Sequence, residues 1–404
     1  VWRLARPVVS RLTAMAPKLG GLLLVLAVVI WGGKVATDAA LGTGLFRSPW
    51  TWAAVTLAFA SVYLFVGITF PTLHRIYRKR LRRTFGLARR GGTVYAPDEP
   101  DQLSWDRMPP DAPELVLCCA QQRTGIAPGG LPAETFTISR RHVRMGDTVV
   151  ATSQYLERLH PDLATERYVS SWIATTGAAF ASAMGRLSKG STNALLAALN
   201  VDLGIWLPNP RLVADPSVRF AKVRFGYLFK EILGWYDPLD RYVFVADGGH
   251  WENLGLVELL RRRCGLIVCF DAAGDTGGTF TTLMQAVELA GLELPDVVGS
   301  IDVTELERLR GKGGAMPGGV LATLRVTYRN PDGTTSTGTI LFAKAQLAGN
   351  LDIALRRFAK ADPRFPDYST GDQFLSDAQF AALVDLGRAA GTAVVDELAT
   401  LPPP

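Results

Sequence analysis

The stretch that decides the fold is Tyr242-Val-Phe-Val-Ala-Asp247-Gly-Gly-His-Trp-Glu-Asn253, which is followed by Leu266-Ile-Val-Cys-Phe-Asp271. The two apolar runs are rich in β-branched and aromatic residues and predict two strands, with a helix near 252–263 between them. In a parallel α/β sheet, ligands bind outside the carboxyl ends of the strands, because loops open there and helix N-termini present N–H donors. Asp247 is predicted at such an end.

A carboxylate at this position can orient or deprotonate a hydroxyl nucleophile, and Gly248 and Gly249 allow a tight turn with close backbone approach. The same pattern is typical of a plain turn or a helix N-cap, and Asp271 presents the same ambiguity. His250, beside the turn, is either a catalytic base or a structural donor. The residues alone leave these alternatives open.

Outward from this stretch, short apolar runs alternate with helical patterns, which predicts an α/β fold. The turn signal Asn330-Pro-Asp-Gly333 predicts that the last two strands form an antiparallel hairpin. Strands are expected near 115–120, 242–246, 266–271, 297–302, 320–328 and 338–344, and helices near 170–184, 192–199, 252–263, 279–291, 350–359 and 376–398.

Charge is distributed very unevenly along the chain. Residues 1–92 contain fourteen Lys or Arg and a single acid, Asp38, so residues 93–404 carry about −7 of the whole-chain net charge of +6. The high pI therefore reflects the N-terminal region, and a basic groove for nucleic acid is not needed to explain it. No nucleic-acid partner is expected.

Two uncharged apolar runs, about 19–40 and 50–70, predict a hairpin of two transmembrane helices within residues 1–92. Basic residues before the first run and at 75–90 predict that both ends of the hairpin face the cytoplasm, which gives a multi-pass protein of the cell membrane. The first run also resembles a secretory signal peptide, and this alternative stays open. A Pro-rich linker is predicted at 93–113, and a folded domain at 114–404.

Other motifs are weak. Gly185-Arg-Leu-Ser-Lys-Gly-Ser191-Thr192 has the composition of a phosphate loop, but a Walker motif needs Gly-Lys-Ser in that order. The chain contains no Gly-x-Ser-x-Gly, so Ser188 and Ser191 are nucleophile candidates only as serines in a Gly-containing loop. The four cysteines and four histidines lack the spacing of a zinc site, and calcium loops are absent. No cofactor and no metal are expected.

Several stretches together resemble the patatin-like phospholipases, in particular a bacterial membrane-spanning branch. They occur in a common order over about 260 residues, and this shared order makes the resemblance specific. The stretches are Thr176-Gly-Ala-Ala179 with Met184-Gly185, Asn200-Val-Asp-Leu-Gly-Ile-Trp-Leu-Pro-Asn-Pro210, Asp247-Gly-Gly-His-Trp-Glu-Asn-Leu-Gly255 with Glu258-Leu-Leu-Arg-Arg-Arg-Cys264, and Phe365-Pro-Asp-Tyr-Ser-Thr-Gly-Asp-Gln-Phe374.

The resemblance implies the C-terminal portion of a three-layer α/β/α sheet domain and a Ser-Asp dyad that hydrolyses lipid acyl esters. It assigns the dyad aspartate to Asp247 and implies a membrane lipid as substrate. The family's oxyanion turn and its nucleophilic serine elbow precede the membrane segment and are absent from these 404 residues. Three explanations follow: a fragment of a longer hydrolase, which the initial Val1 favours, a divided enzyme whose partner chain supplies the serine, or a catalytically silent membrane-attached scaffold.

Overall fold

The computed structural model describes residues 32–65, 73–98, 102–124, 131–177, 203–224, 226–275, 278–311, 316–368 and 375–401. The chain divides into two compact units, with the boundary between Val66 and Gly67.

The described part of the first unit is helical. Residues 32–40 are helical, a 3-10 turn spans Gly44–Arg47, and helix α1 spans Pro49–Phe65. Helix α1 has 17 residues, and a helix of this length extends about 25 Å, less than the ~30 Å thickness of a bilayer's hydrocarbon core. Within the described ranges, no helix is both long enough and apolar enough to traverse a bilayer.

This finding contradicts the predicted two-helix transmembrane hairpin and the multi-pass localisation in the cell membrane that followed from it. The prediction rested on apolar composition, which does not by itself determine how long a helix is. Most of the first predicted segment, and residues 66–70 of the second, lie outside the described residues.

The second unit begins with a basic helix and a hairpin. Helix α2 spans Leu73–Phe85, and strands β1 (Ala88–Arg90) and β2 (Thr93–Tyr95) pair antiparallel. Gly91 and Gly92 join them with φ of 55° and 84°, the positive values that tight two-residue hairpin turns require. The basic flank that was assigned to the membrane segment, and the start of the predicted linker, therefore have structure of their own in this unit.

A six-stranded sheet forms the first half of the remaining chain, and all five of its strand pairs are antiparallel. Its strand order is β6-β5-β4-β3-β8-β7. The strands are β3 (Val116–Gln122), β4 (Ala133–Ser139), β5 (His142–Met145), β6 (Thr148–Ala151), β7 (Ile205–Pro208) and β8 (Tyr242–Asp247).

A four-stranded sheet follows, in the order β10-β11-β12-β9, from β9 (Leu266–Asp271), β10 (Val298–Asp302), β11 (Leu321–Arg329) and β12 (Thr335–Lys344). The predicted hairpin at Asn330–Gly333 is confirmed, because β11 and β12 pair antiparallel on either side of it. Strands β9 and β12 pair in parallel.

The fold is thus mixed α/β, with the described strands divided among sheets of two, four and six strands. The expectation that Asp247 follows a strand of a parallel sheet is wrong: β8 lies between β3 and β7 and runs antiparallel to both. Alternation of strand and helix along the chain does not determine strand direction when some connections return as hairpins.

Helices cover both faces of the four-stranded sheet. Ile340 and Phe342 of β12 face one apolar core, and Leu341 and Ala343 face another, as the two-residue period of a strand requires. Among the described residues, the helices of the second unit after α2 are α3 (Thr152–Glu157), α4 (Val169–Thr176), α5 (Pro210–Val213), α6 (Gly226–Ile232), α7 (Leu256–Arg261), α8 (Thr281–Glu293), α9 (Ile353–Ala361) and α10 (Asp377–Leu398). The helix predicted at 192–199 lies outside the described residues.

Candidate functional site

Asp247 is the last residue of β8 and lies opposite Cys119 in the ladder with β3. Its carboxylate oxygen Oδ1 accepts a hydrogen bond from the backbone N–H of Gly249 at 2.7 Å. The side chain is therefore held by the first turn after the strand, as in an N-cap. Its Oδ2 atom accepts a hydrogen bond from no residue that the structure describes.

Gly248 is required by close backbone packing. A Cβ atom at this position would lie 2.5 Å from the carbonyl oxygen of Cys118, a distance at which the backbone must shift. The hydroxyl of Thr176, at the end of α4, donates a hydrogen bond to the same carbonyl. The Asp-Gly-Gly turn, the middle of β3 and the end of α4 therefore pack directly against one another.

The residues after the turn connect it rigidly to α7. The backbone N–H of Glu252 donates to the carbonyl of Gly248 at 2.8 Å, and the Glu252 carboxylate accepts from the N–H groups of Leu254 at 2.6 Å and Val257 at 3.3 Å. Burial raises the pKa of Glu252, while these backbone donors lower it. Glu252 thus acts as a structural cap of the loop.

Tyr77 of α2 lies close enough to Asp247 for the charge of the carboxylate to affect the tyrosine hydroxyl. Its hydroxyl donates to the carbonyl of Gly177 at 3.0 Å, which ties α2 to the end of α4. Burial raises the pKa of Tyr77, and the negative charge of Asp247 raises it further. The hydroxyl of Tyr77, from a distant part of the sequence, therefore belongs to the surroundings of Asp247. We refer to Asp247, its turn and these neighbours as the Asp247 corner.

Partial burial raises the pKa of Asp247, while the N–H of Gly249 and the charge of His250 lower it. In the described part of the chain, no Lys or Arg forms an ion pair with this carboxylate. Burial outweighs both lowering effects at Asp247, and a carboxylate whose pKa is raised is a stronger base than an exposed one.

A second aspartate, Asp271, ends β9 in the other sheet. Its Oδ1 accepts from the N–H of Ala273 at 2.8 Å, and its Oδ2 lies 3.0 Å from Nζ of Lys344, the last residue of β12. Only 1% of the Asp271 side chain and 3% of the Lys344 side chain are exposed. Lys344 also lines a cavity of about 520 Å³ together with Asp275, Gln346 and Asp367.

The structure brings together the three predicted site residues, Asp247, Gly248 and Gly249, in one tight turn. His250 is buried, at 5% exposure, in the 3-10 turn that follows Asp247. Ser188, Ser191 and the loop 185–192 lie outside the described residues. Over the described ranges, no group of three or more His, Cys, Asp or Glu is placed to hold a metal ion.

Sequence reasoning missed Tyr77 and Lys344. Tyr77 lies in a basic run about 170 residues before Asp247, and nothing in its local pattern indicates that α2 folds back onto α4. Lys344 had a usable signal, since a lysine that ends a strongly apolar strand is unusual and needs a partner. Asp271, at the end of another apolar strand, is that partner.

Comparison with known proteins gives no match: no family model, no curated protein and no solved structure matches this chain.

Proposed function

We propose that this chain contributes the aspartate of a Ser-Asp lipid acyl hydrolase of the patatin type, with Asp247 as the base. One observation carries the proposal: Asp247 is a part-buried carboxylate at a strand end, with one oxygen fixed by the Gly249 N–H and the other not engaged by any described donor. Its pKa is raised by burial, which brings a carboxylate closer to the range in which general bases work best.

The reaction that fits this arrangement is ester hydrolysis in two steps. Oδ2 of Asp247 takes the proton of a serine hydroxyl as the serine oxygen attacks the acyl carbonyl carbon, and the carbonyl electron pair moves onto the carbonyl oxygen. The tetrahedral intermediate then expels the alcohol, which takes the proton from Asp247. Water attacks the acyl-serine in the same way, releasing the fatty acid and restoring the serine.

The serine has to come from outside the described residues, since no described serine is hydrogen-bonded to Asp247. The resemblance implies that an N-terminal segment or a separate chain supplies it within a Gly-x-Ser-x-Gly elbow. Ser188 is the first candidate within the 404 residues. Membrane lipid is the proposed substrate, and the reaction requires no cofactor.

The decisive experiment uses the protein as its own gene encodes it, together with any coding sequence that flanks these residues. Hydrolysis of a phospholipid with a fluorogenic acyl chain is measured for the wild type and for Asp247→Asn. Removing the base should lower kcat/KM by about 10²–10⁴-fold. Asp302→Asn is the matched control, because Asp302 also ends a strand and accepts the N–H two residues later, at 3.0 Å from Thr304.

A fluorophosphonate probe, which reacts covalently with activated serines, locates the nucleophile by peptide mass spectrometry. Labelling that is lost in Asp247→Asn supports the dyad wherever the labelled serine lies. Equal hydrolysis by wild type and Asp247→Asn contradicts the proposal.

A second candidate function is lipid binding without turnover, by a catalytically silent member of the same family. It is favoured by the absence of Gly-x-Ser-x-Gly from the 404 residues. Lipid binding by a protein that neither hydrolyses the ester nor reacts with the fluorophosphonate would support this candidate over the hydrolase.

A further inference from the structure

One surface of the second unit has a strong excess of positive charge. It comprises helix α2, Leu73–Phe85, and the β1–β2 hairpin, residues 88–95, and we refer to it as the basic surface. Residues 73–97 contain eight Lys or Arg and no Asp or Glu. The rest of the second unit does not share this positive charge, since residues 93–404 are net negative.

The orientation of α2 is determined by polar contacts on its inner face. Nδ1 of His74 lies 2.8 Å from the carbonyl oxygen of Leu203, and the hydroxyl of Tyr77 donates to the carbonyl oxygen of Gly177 at 3.0 Å. At the end of the helix, Nη1 of Arg82 donates to the carbonyl of Pro97 at 2.8 Å. These residues recur at helical spacing, so the opposite face of α2 is held outward.

The outward side has cations that form no ion pair with any described residue. Lys79, Arg80 and Arg83 are exposed on α2, and Arg89 and Arg90 are exposed on the hairpin. Across the described residues, no carboxylate forms an ion pair with any of these five. Like charges held this close repel one another, and a partner with negative charge relieves that repulsion.

Large apolar side chains are exposed on the basic surface and beside it, and Ile76 lies between the cations of α2. Ile76 is 57% exposed, Phe85 78%, Leu87 49% and Val94 51%. Beside them lies a cavity of about 440 Å³ whose lining combines apolar side chains with two guanidinium groups, from Phe85, Leu87, Leu103, Ile173, Arg82 and Arg107. Cations alone suit any polyanion, but cations mixed with exposed aromatic and aliphatic groups suit an anionic lipid interface.

We infer that the basic surface binds an anionic phospholipid bilayer face-on, with α2 lying parallel to the bilayer surface. These five cations, which form no ion pair within the described residues, contact the lipid phosphates. Ile76 lies on the same face of α2 as Lys79, Arg80 and Arg83, and it enters the boundary between headgroups and acyl chains. Binding of this kind takes place at the surface and requires no helix that crosses the bilayer. It goes beyond the proposed hydrolase function and does not depend on it.

The experiment measures co-sedimentation of the full chain with sucrose-loaded vesicles, made of phosphatidylcholine alone or with phosphatidylglycerol. The wild type should bind the phosphatidylglycerol vesicles and lose affinity as salt is raised. The test variant combines Lys79→Gln, Arg80→Gln, Arg83→Gln and Arg89→Gln. It should bind about 10²–10³-fold more weakly, since each basic residue near an anionic surface contributes to binding.

The control variant combines Arg308→Gln, Arg310→Gln, Arg356→Gln and Arg388→Gln, four exposed cations elsewhere in the same unit. It has the same net charge as the test variant and should bind like the wild type. A further variant, Ile76→Ser, should lose part of the binding that persists at high salt. All four side chains of the test variant are exposed, so circular dichroism should show an intact fold.

Three results would overturn the inference. These are equal loss of binding in the test and control variants, equal binding of the wild type to vesicles with and without phosphatidylglycerol, and tight binding of duplex RNA that vesicles fail to displace. Asp247→Asn should bind vesicles like the wild type, so failure here and failure of the hydrolase proposal are distinguishable.

Discussion

Asp247 and Asp271 occupy equivalent local positions in two different sheets. Each is the last residue of an apolar strand, and each accepts a hydrogen bond from the N–H two residues later, at 2.7 Å for Asp247 and 2.8 Å for Asp271. Their surroundings differ. Asp271 lies in a buried ion pair with Lys344, whereas Asp247 has no Lys or Arg partner among the described residues and its pKa is raised by burial.

The residues that follow the two aspartates also differ. Asp247 is followed by two glycines, of which Gly248 has no room for a Cβ atom, whereas Asp271 is followed by Ala272 and Ala273. A buried carboxylate neutralised by a lysine holds two strand ends together. A carboxylate without such a partner keeps an oxygen available for chemistry, and its glycines let neighbouring backbone approach. Two similar sequence motifs therefore have different environments in the folded protein.

The largest effect on stability is expected from breaking the ion pair between Asp271 and Lys344. Lys344→Met leaves the carboxylate of Asp271 buried without a cation, and it should lower the free energy of unfolding by about 3–5 kcal/mol. Urea denaturation followed by circular dichroism measures this. Lys360→Met removes an exposed lysine of α9 and should change stability by less than about 0.5 kcal/mol.

Adding Asp271→Asn to Lys344→Met should recover part of the loss, because the remaining group is then neutral. A loss below about 1 kcal/mol for Lys344→Met would show that the pair does not hold the strand ends together.

An intermediate effect is expected from a methyl group at the Asp247 corner. Gly248→Ala places a Cβ atom 2.5 Å from the carbonyl oxygen of Cys118, and it should cost about 1–3 kcal/mol through forced backbone movement. The reciprocal change at the other corner, Ala272→Gly, relieves no contact and should cost about 0.4–1 kcal/mol through unfolded-state entropy. Similar losses for both variants would mean that the two turns tolerate side chains equally.

The smallest effect concerns the charge of Asp247. Because its pKa is higher in the folded protein than in the unfolded chain, the folded protein binds more protons over that interval. Stability should therefore fall as pH rises from the ordinary aspartate range, about pH 4, through the raised value. Asp247→Asn abolishes this contribution, so it should gain stability relative to the wild type as pH increases.

Urea denaturation of both proteins at a series of pH values from about 4 to about 7 tests this sign. At the acidic end the two should differ by less than about 1 kcal/mol, since an asparagine oxygen can still accept the Gly249 N–H. A wild type that becomes more stable than Asp247→Asn as pH rises would mean that a cation stabilises the charged carboxylate.

Local pattern predicted many elements of the fold. Apolar runs near 242–246 and 266–271 correspond to β8 and β9, and Asn330–Gly333 is the turn between β11 and β12. Helix α10 was predicted at 376–398, and Ser376 and Gln379 cap its start through reciprocal hydrogen bonds. These features depend on residues close in sequence, so the sequence is sufficient to place them.

Pairing and partners were not predictable in the same way. The sheet containing β8 is antiparallel, and the predicted transmembrane hairpin is contradicted by the described helices. At the candidate site, Asp247 and its two glycines could be identified from their order after a strand. Tyr77 could not, because its proximity depends on α2 folding against α4.

The order of strands, turns and caps follows from side-chain periodicity and from the backbone preferences of glycine, proline and asparagine, which act over a few residues. Only the tertiary structure determines that Asp271 forms an ion pair with Lys344, whereas Oδ2 of Asp247 accepts a hydrogen bond from no described residue. Lys344 reaches Asp271 only because β12 pairs in parallel with β9, bringing together two strand ends that are 73 residues apart. Such a pairing depends on the burial of whole strands, and no short stretch of sequence contains it.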